Sequence, residues 1–183
     1  MMSRNSSATS ADRYGRIAMA LHWFLAVLLP MQIALGWYML SIEEQPGSGW
    51  YVAVHVSLGL TIGALVALRV AWRAGHAPPK LPTSVTRWQV TSARASHLLL
   101  YLTMILLPVT GYLGAAMSGD PVAYLGNPLP NWPAKNDSLK ELLFGAHAVI
   151  AWVLVVVVIL HVLAAVKHWV KDRDGVFSRM WPW

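Results

Sequence analysis

The chain has 183 residues, 56% of them hydrophobic and only 12% charged, with a formal net charge of +6. A soluble domain carries roughly 25% charged residues, so this composition excludes an ordinary water-soluble fold and points to a bilayer. The absence of cysteine excludes thiolate-held iron–sulfur clusters, c-type haem attachment and disulfide staples, and seven histidines remain as candidate ligands.

Residues 1–13, MMSRNSSATSADR, are Ser-rich and polar with no apolar core, which predicts a disordered tail rather than a cleavable signal peptide. Span 1 is expected from about residue 17 to 40; it is uncharged, carries His22 near its start, and contains Pro30, a potential kink. The connection SIEEQPGSG has two acids and no base. Span 2, about 50–72, has His55 near its beginning, Gly59 and Gly63 at the i+4 and i+8 positions, and Arg69 and Arg73 at its close. Pro78, Pro79 and Pro82 then predict an irregular segment, with a short interfacial helix over Thr83 to Arg94 leading into the next span.

Span 3, about 95–117, carries His97 near its start, and its LPVTGYLG stretch predicts a kinked, closely packed outer half. The longest connection runs from Ser118 to Lys140 and is rich in Pro, Gly and Asn. Connections of that length are usually functional or disordered. Span 4, about 142–168, holds the uninterrupted apolar run FGAHAVIAWVLVVVVILHVLAAVKH, with His147, His161, Lys167 and His168. Residues 173–183 form a tail ending in two tryptophans suited to a membrane interface. Apolar runs of about eighteen residues or more read as transmembrane helices. The expected fold class is therefore an all-α membrane protein, a single four-transmembrane-helix bundle over residues 14–172.

Orientation follows from the basic residues. Twelve of the fourteen lie in the N-terminal tail, the span 2–3 connection with its flanks, and the C-terminal tail; the long loop holds Lys135 and Lys140. The positive-inside rule puts both termini in the cytoplasm and the long loop in the periplasm, across a bacterial inner membrane surrounded by lipid. Topology thus accounts for the positive charge, and no nucleic-acid partner is expected.

That topology assigns a depth to each histidine. His147 and His161 are fourteen residues apart, ~21 Å along a helix and about 40° short of four full turns, so both project from nearly one face. Ionisable side chains within a span are functional candidates by default. His55 and His147 share the outer depth, and His22 and His161 the inner one. Each pair suits one flat macrocycle clamped between two imidazoles. Imidazole suits zinc, copper, iron and nickel, but no carboxylate or thiolate lies at either depth to complete a tetrahedral zinc set. Bis-histidine haem needs only the two imidazoles, and the small residues Ala26, Gly59, Ala151 and Ala165 at i+4 from each ligand leave room for a porphyrin edge. The expectation is two haem b groups, with His22 and His161 on the iron of the inner one and His55 and His147 on that of the outer one.

Other readings stand beside these. A single intramembrane histidine often just bonds a backbone carbonyl, Gly59 and Gly63 also suit helix packing, and His76 reads as a loop residue. Arg73 and Arg94 read as snorkelling, topology-setting charge. His97, Arg69, Lys167 and His168 gather at the cytoplasmic interface, where a quinone headgroup would find hydrogen bonds. His168 falls two turns beyond His161, and histidine titrates near neutral pH, which suits proton donation to a quinone being reduced.

The chain resembles the bacterial cytochrome b561 family over nearly its whole length. The resemblance is carried by LHW at His22, VHVSLG at His55 and SHLLLYLTMILLPVTG from Ser96, then by GDPVAYLG and NPLP in the long loop. DSLKELLFGAHA leading to His147 and LHVLAAVKHW with His161 and His168 complete it. It implies a four-helix diheme membrane protein with ligands at His22, His55, His147 and His161, and a quinone site near His168. A member of the family acts as a superoxide oxidase, which implies an oxidoreductase that takes electrons from periplasmic superoxide, releases dioxygen and reduces ubiquinone. Lys135 and Lys140 would then steer the superoxide anion, with Asp120, Asp137 and Glu141 opposing them. One rival is a cytochrome b subunit linking a periplasmic dehydrogenase or hydrogenase, as redox partner, to the quinone pool. The other is a metal-ion carrier, against which the lack of intramembrane carboxylates and of repeat symmetry counts.

Overall fold

A computed structural model describes residues 13–130 and 134–181. The disordered tail expected at residues 1–13 lies almost wholly outside them, as does the last tryptophan. Four long helices dominate: α1 (Arg16–Ser41), α2 (Ser48–Gly75), α3 (Arg87–Ala116) and α4 (Asp137–Lys167). All four are long and apolar enough to cross a membrane. They are apolar on every side, the signature of a span rather than of an amphipathic surface helix. Phe24, Trp37, Leu102, Val149, Trp152 and Leu163 point outward and are exposed, a surface suited to lipid.

Local chemistry sets the ends. Gly47 (φ 87°) turns the chain into α2. Asn136 caps α4 by accepting from the Leu139 amide at 3.0 Å, with Asp137 in the first turn, where the helix dipole favours an acid. At α3 the Thr86 amide donates to Gln89 Oε1 at 2.8 Å. That cap corrects the expected interfacial helix over 83–94. Residues 83–85 form a turn and bend, and everything from Arg87 onward belongs to α3, because no breaker follows before Pro108.

Pro30 and Pro108 both lie inside continuous helices. Pro108 sits against Gly63 of α2, where an added Cβ would come within 2.8 Å of the proline Cγ. Gly63→Ala is therefore expected to overpack this crossing and destabilise by about 1–3 kcal/mol. Gly145→Ala, with open space around it, is expected to be neutral or stabilising by about 0.5–1 kcal/mol. Thermal denaturation of the two variants in detergent checks the contrast.

Mid-depth, the bundle is filled by Leu25 and Leu29 of α1, Ile62 and Val66 of α2, Leu100 and Met104 of α3, and Leu154 and Val157 of α4. Each helix gives two residues to this layer. α1 packs on α2, α2 on α3, and α3 most extensively on α4.

The long loop is not featureless. β1 (Ala123–Tyr124) and β2 (Asn127–Pro128) pair antiparallel around Leu125 (φ 50°) and Gly126 (φ 81°), the two positive-φ positions of a tight hairpin turn. The hairpin docks on α2: the Leu125 amide donates to buried Ser57 Oγ at 3.0 Å, and Tyr124 Oη meets Thr61 Oγ1 at 3.2 Å.

The C-terminal segment packs back on the bundle. After a π-helical turn (His168–Asp172) and a 3₁₀ turn (Phe177–Arg179), the Met180 carbonyl accepts from Trp23 Nε1 at 2.7 Å. The Arg179 carbonyl accepts from the Tyr14 amide at 3.2 Å. Trp181 lies edge-on to Trp23, 5.5 Å between centroids, and its carbonyl accepts from Arg13. The described starts and ends of the chain are thus tied together at one end of the bundle.

Candidate functional site: two histidine layers across the bundle

The same spacing recurs on all four helices. Fourteen residues separate His22 from Gly36 on α1, His55 from Arg69 on α2, His97 from Gly111 on α3, and His147 from His161 on α4. At about 1.5 Å per residue this is ~21 Å, and the apolar mid-depth layer lies between. The result is an outer layer of two histidines and two glycines, and an inner layer of three histidines and an arginine.

In the outer layer the His55 and His147 rings face each other with centroids 6.3 Å apart and planes at 68°. Their helices, α2 and α4, are not packed extensively on one another, so the imidazoles meet across the interior. Glycines on the flanking helices make this possible. A Cβ at Gly36 would stand 3.1 Å from His55 Cε1, and one at Gly111 would stand 3.1 Å from both Cε1 and Nδ1 of His147. His147 Nδ1 lies 3.0 Å from the Leu107 carbonyl and 3.3 Å from Thr110 Oγ1. Since a carbonyl only accepts, Nδ1 carries the proton and Nε2 is left with its lone pair, the state a metal-binding imidazole needs. Across from it, Gln32 Nε2 donates to the His55 carbonyl at 2.9 Å, while His55 Nδ1 is a buried polar atom with no hydrogen-bond partner among the described residues.

In the inner layer the His22 and His161 centroids are also 6.3 Å apart, with planes at 80°. His97 comes to 5.4 Å from His161. Arg69 reaches the same level and donates from Nη1 to the Ala18 carbonyl at 2.8 Å.

The other predicted residues lie apart from this layer. His168 is in the π-helical turn, with Nδ1 2.6 Å from Asp174 Oδ2 and 3.4 Å from Asp172 Oδ2. Lys167 is ion-paired with Asp172. The structure groups these two with acids that the sequence reading did not single out. On the opposite end, Lys135 Nζ lies 3.4 Å from Asp137 Oδ2, both side chains well exposed, a pair of little energetic weight. Lys140 stands in the first turn of α4.

The geometry can be tested against a haem. An imidazole nitrogen binds a first-row metal at about 2.0–2.1 Å, and the ring centre lies about 1 Å further back. Two opposed imidazoles on one ion therefore have centroids about 6 Å apart, which both 6.3 Å pairs match. The imidazole donors, the glycine-backed rings and the Nδ1–H bond of His147 all fit such a group.

Gly36, Gly111, Gln32 and the Leu107 carbonyl were missed in the sequence. The one signal available was the fourteen-residue interval that puts each glycine at a histidine's depth.

A membrane-spanning four-helix bundle with imidazoles paired at two depths defines a class, the membrane b-type cytochromes. The profile of prokaryotic cytochrome b561 matches residues 13–183, and the chain belongs to that family. It is 31% identical over 179 residues to cytochrome b561 homolog 2 of Escherichia coli K12, covering 96% of this chain and 94% of the relative. Identity to cytochrome b561 homolog 1 of the same organism is 25%, over 93% of this chain and 98% of that one. Identity to a protein described as probable superoxide oxidase CybB of Yersinia pestis is 24%, over 93% and 96%. The protein is therefore an integral-membrane redox cytochrome with b-type haem, and the metal-ion carrier is set aside.

Proposed function

We propose that the protein is a diheme superoxide:ubiquinone oxidoreductase of the bacterial inner membrane, with both termini cytoplasmic. Two superoxide anions each give up one electron and leave as dioxygen on the periplasmic side. Ubiquinone takes the two electrons and two protons on the cytoplasmic side. The observation that carries this reading is the pair of opposed imidazole couples, one at each depth, separated by an apolar layer. His55 and His147 would hold the outer haem, and His22 and His161 the inner one. When bound, the haems supply one-electron transfer.

The chain's own residues do the rest. Gly36 and Gly111 let the outer rings sit against the neighbouring backbone, and the Leu107 carbonyl fixes the His147 tautomer. The apolar layer of Leu25, Ile62, Met104, Leu154 and their neighbours keeps water from crossing between the two levels. His168, braced by Asp174, would donate a proton to the quinone, with Lys167 beside it, while Arg69 and His97 would stand at the inner-haem layer. The relative described as a probable superoxide oxidase supports superoxide as the donor.

The test is a stopped-flow experiment on detergent-purified, oxidised protein mixed with superoxide, with and without a soluble ubiquinone. A bis-histidine b-type spectrum should appear reduced on mixing and reoxidise when quinone is present. Reduction by quinol but not by superoxide would overturn the donor and point to a periplasmic protein partner. His168→Gln is expected to keep haem content and superoxide-driven reduction while slowing reoxidation by quinone roughly 100-fold, the usual weight of a general acid. Lys135→Gln with Lys140→Gln is expected to slow superoxide-driven reduction only about twofold, because Asp137 already offsets Lys135, and to leave quinol-driven reduction unchanged. That deficit should vanish at high salt, where the Debye length is about 3 Å.

A further inference from the structure

At the outer layer α1 and α2 meet in antiparallel register. A Cβ at Gly36 of α1 would stand 3.1 Å from His55 Cε1 of α2, and one at Gly59 of α2 would stand 3.0 Å from Gln32 Nε2 of α1. Gln32 and Gly36 are four residues apart, as are His55 and Gly59, so each pair occupies successive turns of one helix face. His55 lies over Gly36 and Gln32 lies over Gly59, each glycine admitting a polar side chain of the other helix. Gly59, whose spacing from His55 suited a porphyrin edge, makes room for a carboxamide.

One end of that carboxamide is engaged. Nε2 donates to the His55 carbonyl at 2.9 Å, and this sets the orientation of the amide because a carbonyl only accepts. Its other end, Oε1, is a buried acceptor with no hydrogen-bond partner among the described residues, and His55 Nδ1 is in the same position. The two outer imidazoles differ in this respect. His147 Nδ1 has the Leu107 carbonyl at 3.0 Å, whereas no described group answers His55. An imidazole that binds a metal through Nε2 carries its proton on Nδ1 and gives it to an acceptor behind the ring. A side chain already bonded to His55 thus holds a buried acceptor, and His55 itself holds a buried donor. Buried polar groups are as a rule paired.

We propose that Gln32 is the positioning residue of His55, holding its carbonyl through Nε2 and its Nδ1–H through Oε1 by way of one bound water. The inference rests on the reading of His55 as an outer-haem ligand. Water is the link because Oε1 and Nδ1 are not bonded to each other, and a buried water characteristically joins otherwise unpaired polar groups. The bond fixes the tautomer that leaves Nε2 its lone pair, and it raises the basicity of the ring. A more basic ligand favours ferric iron, so Gln32 keeps the potential of the outer couple low.

Potentiometric titration of the purified haem-loaded protein, followed by its optical spectrum, tests this. The outer couple is identified by its loss in His147→Ala. Gln32→Met, similar in length but without the amide, should raise that couple by about 59 mV, a tenfold shift for one electron. The inner couple and the haem content should stay as in the wild type. Gln32→Glu, which keeps an acceptor, should leave the outer couple at or below its wild-type value. Gly59→Ala, which displaces the carboxamide, should shift the couple in the same direction as Gln32→Met and add nothing in that background. Two unmoved couples, equal shifts of both, or an equal rise in Gln32→Met and Gln32→Glu would overturn the proposal. If Gln32→Met loads no outer haem, loading restored in Gln32→Glu supports the proposal and loading still absent overturns it. A wild type with one couple instead of two would overturn the diheme reading, and this inference with it.

Discussion

On the proposed diheme superoxide:quinone reading, His147→Ala is expected to leave the protein with one haem instead of two, and to stop superoxide-driven quinone reduction. The imidazole of His147 faces that of His55 at 6.3 Å, and no other described histidine lies at that depth to replace it. Losing a hydrogen-bond partner behind a metal ligand already costs roughly 10–100-fold in affinity, so loss of the ligand itself should exceed roughly 100-fold. The inner layer lies ~21 Å away along the helix and has its own pair, so its haem should stay. A pyridine haemochrome assay against protein concentration gives the ratio. Unchanged haem content would remove His147 from the ligand set, and loss of both haems would mean that the layers are not independent.

Gly111→Ala should act through the same ring without touching a ligand. In an ordinary helix interior this substitution stabilises by about 0.5–1 kcal/mol. Here the new methyl would come 3.1 Å from two atoms of the His147 imidazole, a rigid ring already held by the Leu107 carbonyl at 3.0 Å. The ring has to move by a few tenths of an ångström, which spoils that hydrogen bond and the aim of Nε2 together. Outer-haem affinity is expected to fall about tenfold or more while the helices stay intact. Haem titration of the apoprotein followed by circular dichroism separates the two effects. An alanine variant that loads haem normally would show that the close approach is incidental.

The four spans and the ligand candidates could be read from the sequence because each rests on one-dimensional physics. A bilayer sets the length of an apolar run, and a fixed rise per residue converts spacing into depth. The fourteen-residue interval between His147 and His161 needs nothing more. The interfacial helix over 83–94 went astray for a local reason: the Thr86–Gln89 cap starts one helix that runs unbroken into the span. His168 was placed by extending the α-helical period past Lys167. The chain turns π-helical there and gives the ring to Asp174, six residues on, which periodicity does not foresee.

Sequence alone determined the class, a four-span membrane bundle, and the depth of the five histidines inside the spans, because hydropathy and helix rise are properties of each segment by itself. Only the tertiary structure decided what stands beside each ring. It brought Gly36 to His55 and Gly111 to His147, folded the hairpin onto Ser57, and returned the C-terminal segment to Trp23. These are contacts between helices, fixed by which faces pack and how closely small residues let backbones approach.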